Sequence, residues 1–123
     1  MRVMVLIKAN SDTEAGVLPS EQLLTEMGNY NEELVRAGVM LAGEGLHPSS
    51  TGKRVKFSGT NRTVTDGPFT EAKELVAGFY LIEARDMREA TEIASRIPSA
   101  HLGTVEVRPA RQLTVQGREP RWG

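Results

Sequence analysis

Three side chains in this 123-residue chain combine the type and the setting that proton chemistry needs: Asp66, His47 and Glu44. Asp66 ends the run Thr63-Val64-Thr65 and precedes Gly67-Pro68. A carboxylate there caps a turn by accepting backbone N–H groups. Turned into a closed cavity instead, it loses hydration, holds its proton more tightly and suits general-base work. Gly67 precedes a proline and is pushed to extended or glycine-only backbone, so the turn is rigid in either role. His47 follows Gly45-Leu46 at a strand exit, and an imidazole is the natural acid–base partner for Asp66. Glu44 sits between Gly43 and Gly45, where missing side chains leave room for a ligand or expose a solvated edge. Lys73 and Glu74 follow the turn and, with Phe69, are candidate ligand contacts at a cavity mouth. As a bare surface pair, Lys73 and Glu74 contribute under ~1 kcal/mol.

Other chemistries lack their residues. The chain has no cysteine, and its two histidines, His47 and His101, lie far apart without H-x-x-H spacing, so no metal site is expected. Gly43-x-Gly45 and Gly52-Lys53 match neither phosphate-loop spacing, and no G-x-S-x-G elbow exists. No cofactor is expected. The formal charge of −1 offers no basic field for direct nucleic-acid contact. The C-terminal trend Arg108, Arg111, Arg118, Arg121 and Trp122 is diluted by Glu106 and Glu119 and reads as solvated. No apolar run approaches the ~20 residues of a membrane span. Met1 to Ile7 is too short for a signal peptide and lacks a small-residue cleavage site. A cytoplasmic protein is expected, in which these residues form the first strand.

The elements that must position these groups follow from periodicity. Val3 to Ile7 reads as a buried strand and Ser11 to Gly16 as a polar loop. Pro19-Ser20 opens a helix over about residues 20–37, whose apolar stripe is Leu23, Met27, Tyr30 and Leu34. Ala37-Gly38 ends it. Val39 to Leu46 reads as a strand that Gly43 and Gly45 weaken or bulge. Lys53 to Ser58 and Arg62 to Thr65 form a hairpin across Gly59-Thr60-Asn61. Asp66 to Glu74 is turn and irregular chain, and Leu75 to Ala84 is the most strand-like run. Asp86 followed by Glu89 marks a helix start, Met87, Ala90, Ile93, Ala94 and Ile97 make its stripe, and Pro98 stops it. Gly103 to Pro109 is the last strand, with Glu106 and Arg108 sharing one face and suited to a dimer seam. Residues 1–115 form one domain, and residues 116–123 form a polar tail.

The order is that of an α+β, ferredoxin-like split βαβ with an inserted β-hairpin. Right-handed crossovers put two helices on one face of an antiparallel sheet. Residues 3–7 and 79–82 are nevertheless apolar on both faces, whereas a strand with one wet face alternates. Something apolar must cover the helix-free face, and a homodimer is the economical answer.

Four blocks in order carry a family resemblance. They are Gly43-Glu44-Gly45-Leu46-His47-Pro48-Ser49-Ser50, Thr63-Val64-Thr65-Asp66-Gly67-Pro68-Phe69, Lys73-Glu74-Leu75-Val76-Ala77-Gly78-Phe79 and Glu106-Val107-Arg108-Pro109. With them the chain, from about Met1 to Val115, resembles the YCII-related superfamily in its DGPF-domain branch. The resemblance implies a sheet-to-sheet dimeric α+β barrel. It also brings small-molecule enzymes into view, one type of which eliminates chloride from chlorinated aromatic metabolites. Those relatives use a His–Asp pair with the histidine on the first helix, and this chain has no histidine over residues 20–37. Relatives encoded beside extracytoplasmic-function sigma factors hint at a regulatory setting.

Three readings follow. The first is a lyase- or isomerase-like enzyme moving a proton with Asp66 and His47 or Glu44 in a cavity between sheets. The second is a non-catalytic ligand-binding or regulatory dimer linked to sigma-factor control. The third is a structural oligomer with a filled interior.

Overall fold

The computed structural model describes residues 1–98 and 103–111; His101 and residues 116–123, singled out above, lie outside the described residues, as does the Lys73 side chain. Among the described residues, six strands and three α-helices follow the order β1 (Arg2–Lys8), α1 (Ser11–Glu14), α2 (Glu21–Arg36), β2 (Met40–Gly45), β3 (Lys53–Ser58), β4 (Asn61–Asp66), β5 (Val76–Glu83), α3 (Met87–Ser95) and β6 (Val105–Pro109). The main sheet runs β2-β5-β1-β6, all neighbours antiparallel, and β3-β4 forms a separate two-stranded sheet. Without the hairpin this is the ferredoxin-like α+β arrangement.

Register explains the layers. Val3 lies opposite Ile82 and Val5 opposite Tyr80, so one sheet face carries these four side chains. Leu34 of α2 and Ala90, Ala94 and Ile97 in and just after α3 close over them as the buried core. Val3, Val5 and Ile82 are fully buried, and removing each from water stabilises by about 1.5–3 kcal/mol. Both helices therefore sit on one face. The opposite face presents Met4 beside Leu81 and Leu6 beside Phe79, each only half-buried. Glu106 and Arg108 of β6 flank them, opposite Leu6 and Met4.

Local signals set the helix ends. Asp86 Oδ1 accepts from Glu89 N at 2.8 Å, which caps α3 where the sequence places it. Ser20 Oγ accepts from Leu23 N and caps α2, so Pro19 stands just outside the helix that Pro19-Ser20 opens. Ser11–Glu14 corrects the expected loop. Asn10 Oδ1 accepts from Thr13 N and Asn10 N donates to Thr13 Oγ1, a reciprocal cap that supports one helical turn without an apolar stripe. The bulge in β2 falls between Met40 and Ala42, before Gly43 and Gly45. Short 3-10 turns occupy Ser49–Thr51 and Ala72–Glu74, the second inside the segment expected to be irregular.

No helix among the described residues is long and apolar enough to cross a membrane.

Candidate functional site

The C-terminal half of α2 rests on bulky strand residues, but its N-terminal half has little beneath it. Gly45 lies opposite Gly78, and Gly43 opposite Tyr80, on the helix side of the sheet. A Cβ on Gly45 would meet nothing within 4 Å. A Cβ on Gly78 would stand 3.0 Å from Glu44 O, so the close strand approach favours glycine there. Beside these glycines a partly open cavity of about 1180 Å³ lies between α2, the α1 segment and the ends of β1, β2 and β5. Its walls are mostly apolar: Ile7, Leu18, Leu23, Met27, Val35, Met40 and Leu46.

Two polar side chains meet at this cavity. Tyr80 OH donates to Asn31 Oδ1 at 2.5 Å, and both residues line the space. Burial pushes the Tyr80 phenol above its ordinary value, and the Asn31 hydrogen bond draws it part of the way back. The group therefore stays a neutral phenol at physiological pH. Its oxygen can still accept, and the Asn31 amide nitrogen can still donate. The second tyrosine does other work: Tyr30 OH donates to Ile93 O at 2.7 Å and ties α2 to α3. Its phenol is also raised, first by burial and against the lowering influence of Arg96.

The structure distributes the expected site residues over two places. His47 and Glu44 line the cavity. Glu44 pairs with Phe79, whose neighbours Gly78 and Tyr80 face the helices, so its side chain belongs to the helix-free face and its backbone to the cavity. Asp66 and Phe69 lie instead at the root of the hairpin. Lys53 Nζ donates to Asp66 Oδ1 at 2.5 Å, and the Asp66 side chain is 75% exposed. Phe69 packs under the Arg54 guanidinium, 3.9 Å from ring centroid to Cζ. Glu74 is exposed in its 3-10 turn.

The Gly67-Pro68 turn closes against the loop after His47. Ser49 Oγ accepts from Phe69 N at 3.0 Å and donates to Glu14 Oε2 at 2.9 Å. Ser49 N donates to the same Glu14 oxygen, and Gly67 N donates to Gly52 O. A Cβ on Gly67 would stand 1.8 Å from Ser49 O. The motif thus locks α1, the His47-Pro48 loop and the hairpin root together.

Sequence reasoning missed Asn31 and Tyr80. The available signal was Asn31's place on the inward helical stripe, four residues after Met27 and three before Leu34. A polar residue there faces the protein interior and needs a partner. Tyr80 was legible as a strand residue, but its hydroxyl's partner was not.

Comparison with known proteins adds the following. A family model for the YCII-related domain matches residues 1–114. An uncharacterized protein of Rhizobium meliloti (strain 1021) is 32% identical over 91 residues, spanning 72% of this chain and 73% of that protein. The 5-chloro-2-hydroxyhydroquinone dehydrochlorinase of Burkholderia phenoliruptrix AC1100, solved in complex with 2,5-dihydroxybenzoquinone, covers 91% of this chain and 95% of its own at 16% identity and a TM-score of 0.41.

Proposed function

The chain belongs to the YCII-related family, and from that premise we propose that it handles a small organic molecule in the cavity under α2, as a lyase- or isomerase-like enzyme. The observation that carries this reading is the Tyr80–Asn31 hydrogen bond, formed on the buried Tyr80 in a cavity whose walls are mostly apolar. Ligand sites combine apolar walls with a few placed polar groups, and this pair supplies one acceptor and one donor. Apart from Glu44, whose side chain lies on the other face, the charged residues at the cavity are Lys8, Asp12 and Glu26, a net −1 that disfavours phosphorylated or polycarboxylate ligands. The favoured ligand is uncharged and mostly apolar, with a hydroxyl or carbonyl oxygen for the Tyr80–Asn31 pair.

In this reading His47, at the cavity, moves the proton, and Tyr80 holds the ligand's oxygen. Asp66 has the role of bracing the hairpin root through Lys53, so the helix-side cavity replaces the space between sheets as the reaction site. Glu44, on the other face, joins Glu106 and Arg108 at the proposed seam. A second copy covers Met4, Leu6, Phe79 and Leu81, giving the homodimer. The cysteine-free sequence suits a cytoplasmic setting.

Native mass spectrometry of the purified protein tests the ligand site. Wild type is expected to retain a small molecule that the cavity-filling variant Gly45→Leu loses. Equal retention in the two, or no retained molecule at all, counts against the proposal. His47→Gln separates turnover from binding: it should keep the ligand and lose any conversion, whereas unchanged conversion removes His47 from the chemistry.

A further inference from the structure

We propose that the β3–β4 hairpin is an arm that docks on a second copy of this chain; the inference extends, and rests on, the homodimer proposed above. Every residue of β3 and β4 is exposed. Three of them are apolar all the same: Val55, Phe57 and Val64 are 51%, 66% and 59% exposed. Register puts Val55 opposite Val64 and Phe57 opposite Arg62 on one face, with the Arg62 guanidinium 4.5 Å from the Phe57 ring centroid. An isolated two-stranded hairpin is marginal in water. This one is fixed firmly at its root, through Gly67, Phe69 and Ser49, and presents an apolar face over which, among the described residues, only the hairpin's own Arg62 lies.

Area and charge both point to a second copy. Four strands about 4.8 Å apart and about 20 Å long give the sheet face a flat footprint of roughly 400 Å². A standard interface buries about 800 Å² per partner, so the sheet face alone falls short. An arm about 20 Å long and 10 Å wide adds about 200 Å², and the arm received from the partner adds as much again. Residues 53–66 carry Lys53, Arg54, Lys56 and Arg62 against Asp66, a net +3. The whole chain is −1, so the remainder is −4 and attracts the arm of another copy. Two-fold symmetry makes the exchange reciprocal.

The absence of cysteine makes the test clean. Ser58→Cys at the arm tip, labelled with a photoactivatable maleimide, leaves the apolar face intact and reports what the arm touches. Irradiation at micromolar concentration should give a species of twice the chain mass, with the link running from arm to partner. Separately, the double variant Val55→Ser, Phe57→Ser should weaken dimerisation about tenfold or more in sedimentation, with an unchanged circular dichroism spectrum. A dimeric wild type with purely intramolecular links and an unaltered double variant overturns the arm and leaves the sheet-face dimer standing. A monomeric wild type overturns both. Links that form only after an acidic protein or RNA is added overturn the second-copy assignment.

Discussion

Gly67 and Gly45 show how one residue type serves opposite ends. Gly67 has backbone pressed against it, with Ser49 O 1.8 Å from where a Cβ would sit. Gly67→Ala must displace that loop, and we expect a loss of about 1–3 kcal/mol in denaturant unfolding. Gly45→Ala meets open space and should change stability by no more than about 0.5 kcal/mol in the same measurement. Tyr80→Phe removes the donor to Asn31 and should cost about 1 kcal/mol. The same group gives an alkaline signature. Tyr80 and Tyr30 both hold their protons above the ordinary phenol value, chiefly through burial. Their stabilising contribution is complete below that ordinary value and is lost as pH rises through the raised folded one. These are the chain's two tyrosines, so tyrosinate absorbance reads them directly. Wild type should show two late-titrating phenols and Tyr80→Phe one; ordinary titration of both would contradict the burial argument.

At the scale of elements, Ser49 joins three segments through one hydroxyl. Ser49→Ala removes the bond to Glu14 and the acceptor for Phe69 N, at an expected total of about 2 kcal/mol. Faster hydrogen exchange at the Phe69 amide is the specific readout, because a general loss of stability would not single out that position. The helices were the most legible elements. Asp86, Glu89 and Pro98 mark α3 by side-chain chemistry that acts within one turn of chain. The single turn α1 escaped because four residues carry no apolar stripe, although Asn10 and Thr13 stand at cap spacing. Glycines in β2 suggested a bulge, yet Gly43 and Gly45 take ordinary places in the register and serve the cavity instead.

For the whole molecule, the doubly apolar central strands have a definite consequence. Val3, Val5, Tyr80 and Ile82 are covered by helices, while Met4, Leu6, Phe79 and Leu81 face away from them. If a sheet-face dimer is reinforced by a cationic arm on an acidic body, only one of its two contributions is weakened by salt. Screening weakens the arm's attraction as the Debye length falls from about 10 Å at 0.1 M to about 3 Å at 1 M, while apolar burial persists. Sedimentation across that range should show a dimer that loosens without falling apart, and deletion of the arm's charges should abolish the salt dependence.

The order of the strands and of the two longer helices, the cap of α3, the two-faced strands and the family blocks were determined by the sequence itself, because each rests on spacing or on contacts within a turn or two of chain. The cavity under α2 was decided only by the tertiary structure. It lies beside Gly45 and Gly78, which are 33 residues apart and come opposite each other. The same folding brings Tyr80 to Asn31, 49 residues away, and takes Asp66 to Lys53 at the hairpin root. The Asp66-Gly67-Pro68-Phe69 motif announced a family at once. Its physical use, a brace against the Ser49 loop, appeared only when chain segments far apart in sequence were brought together.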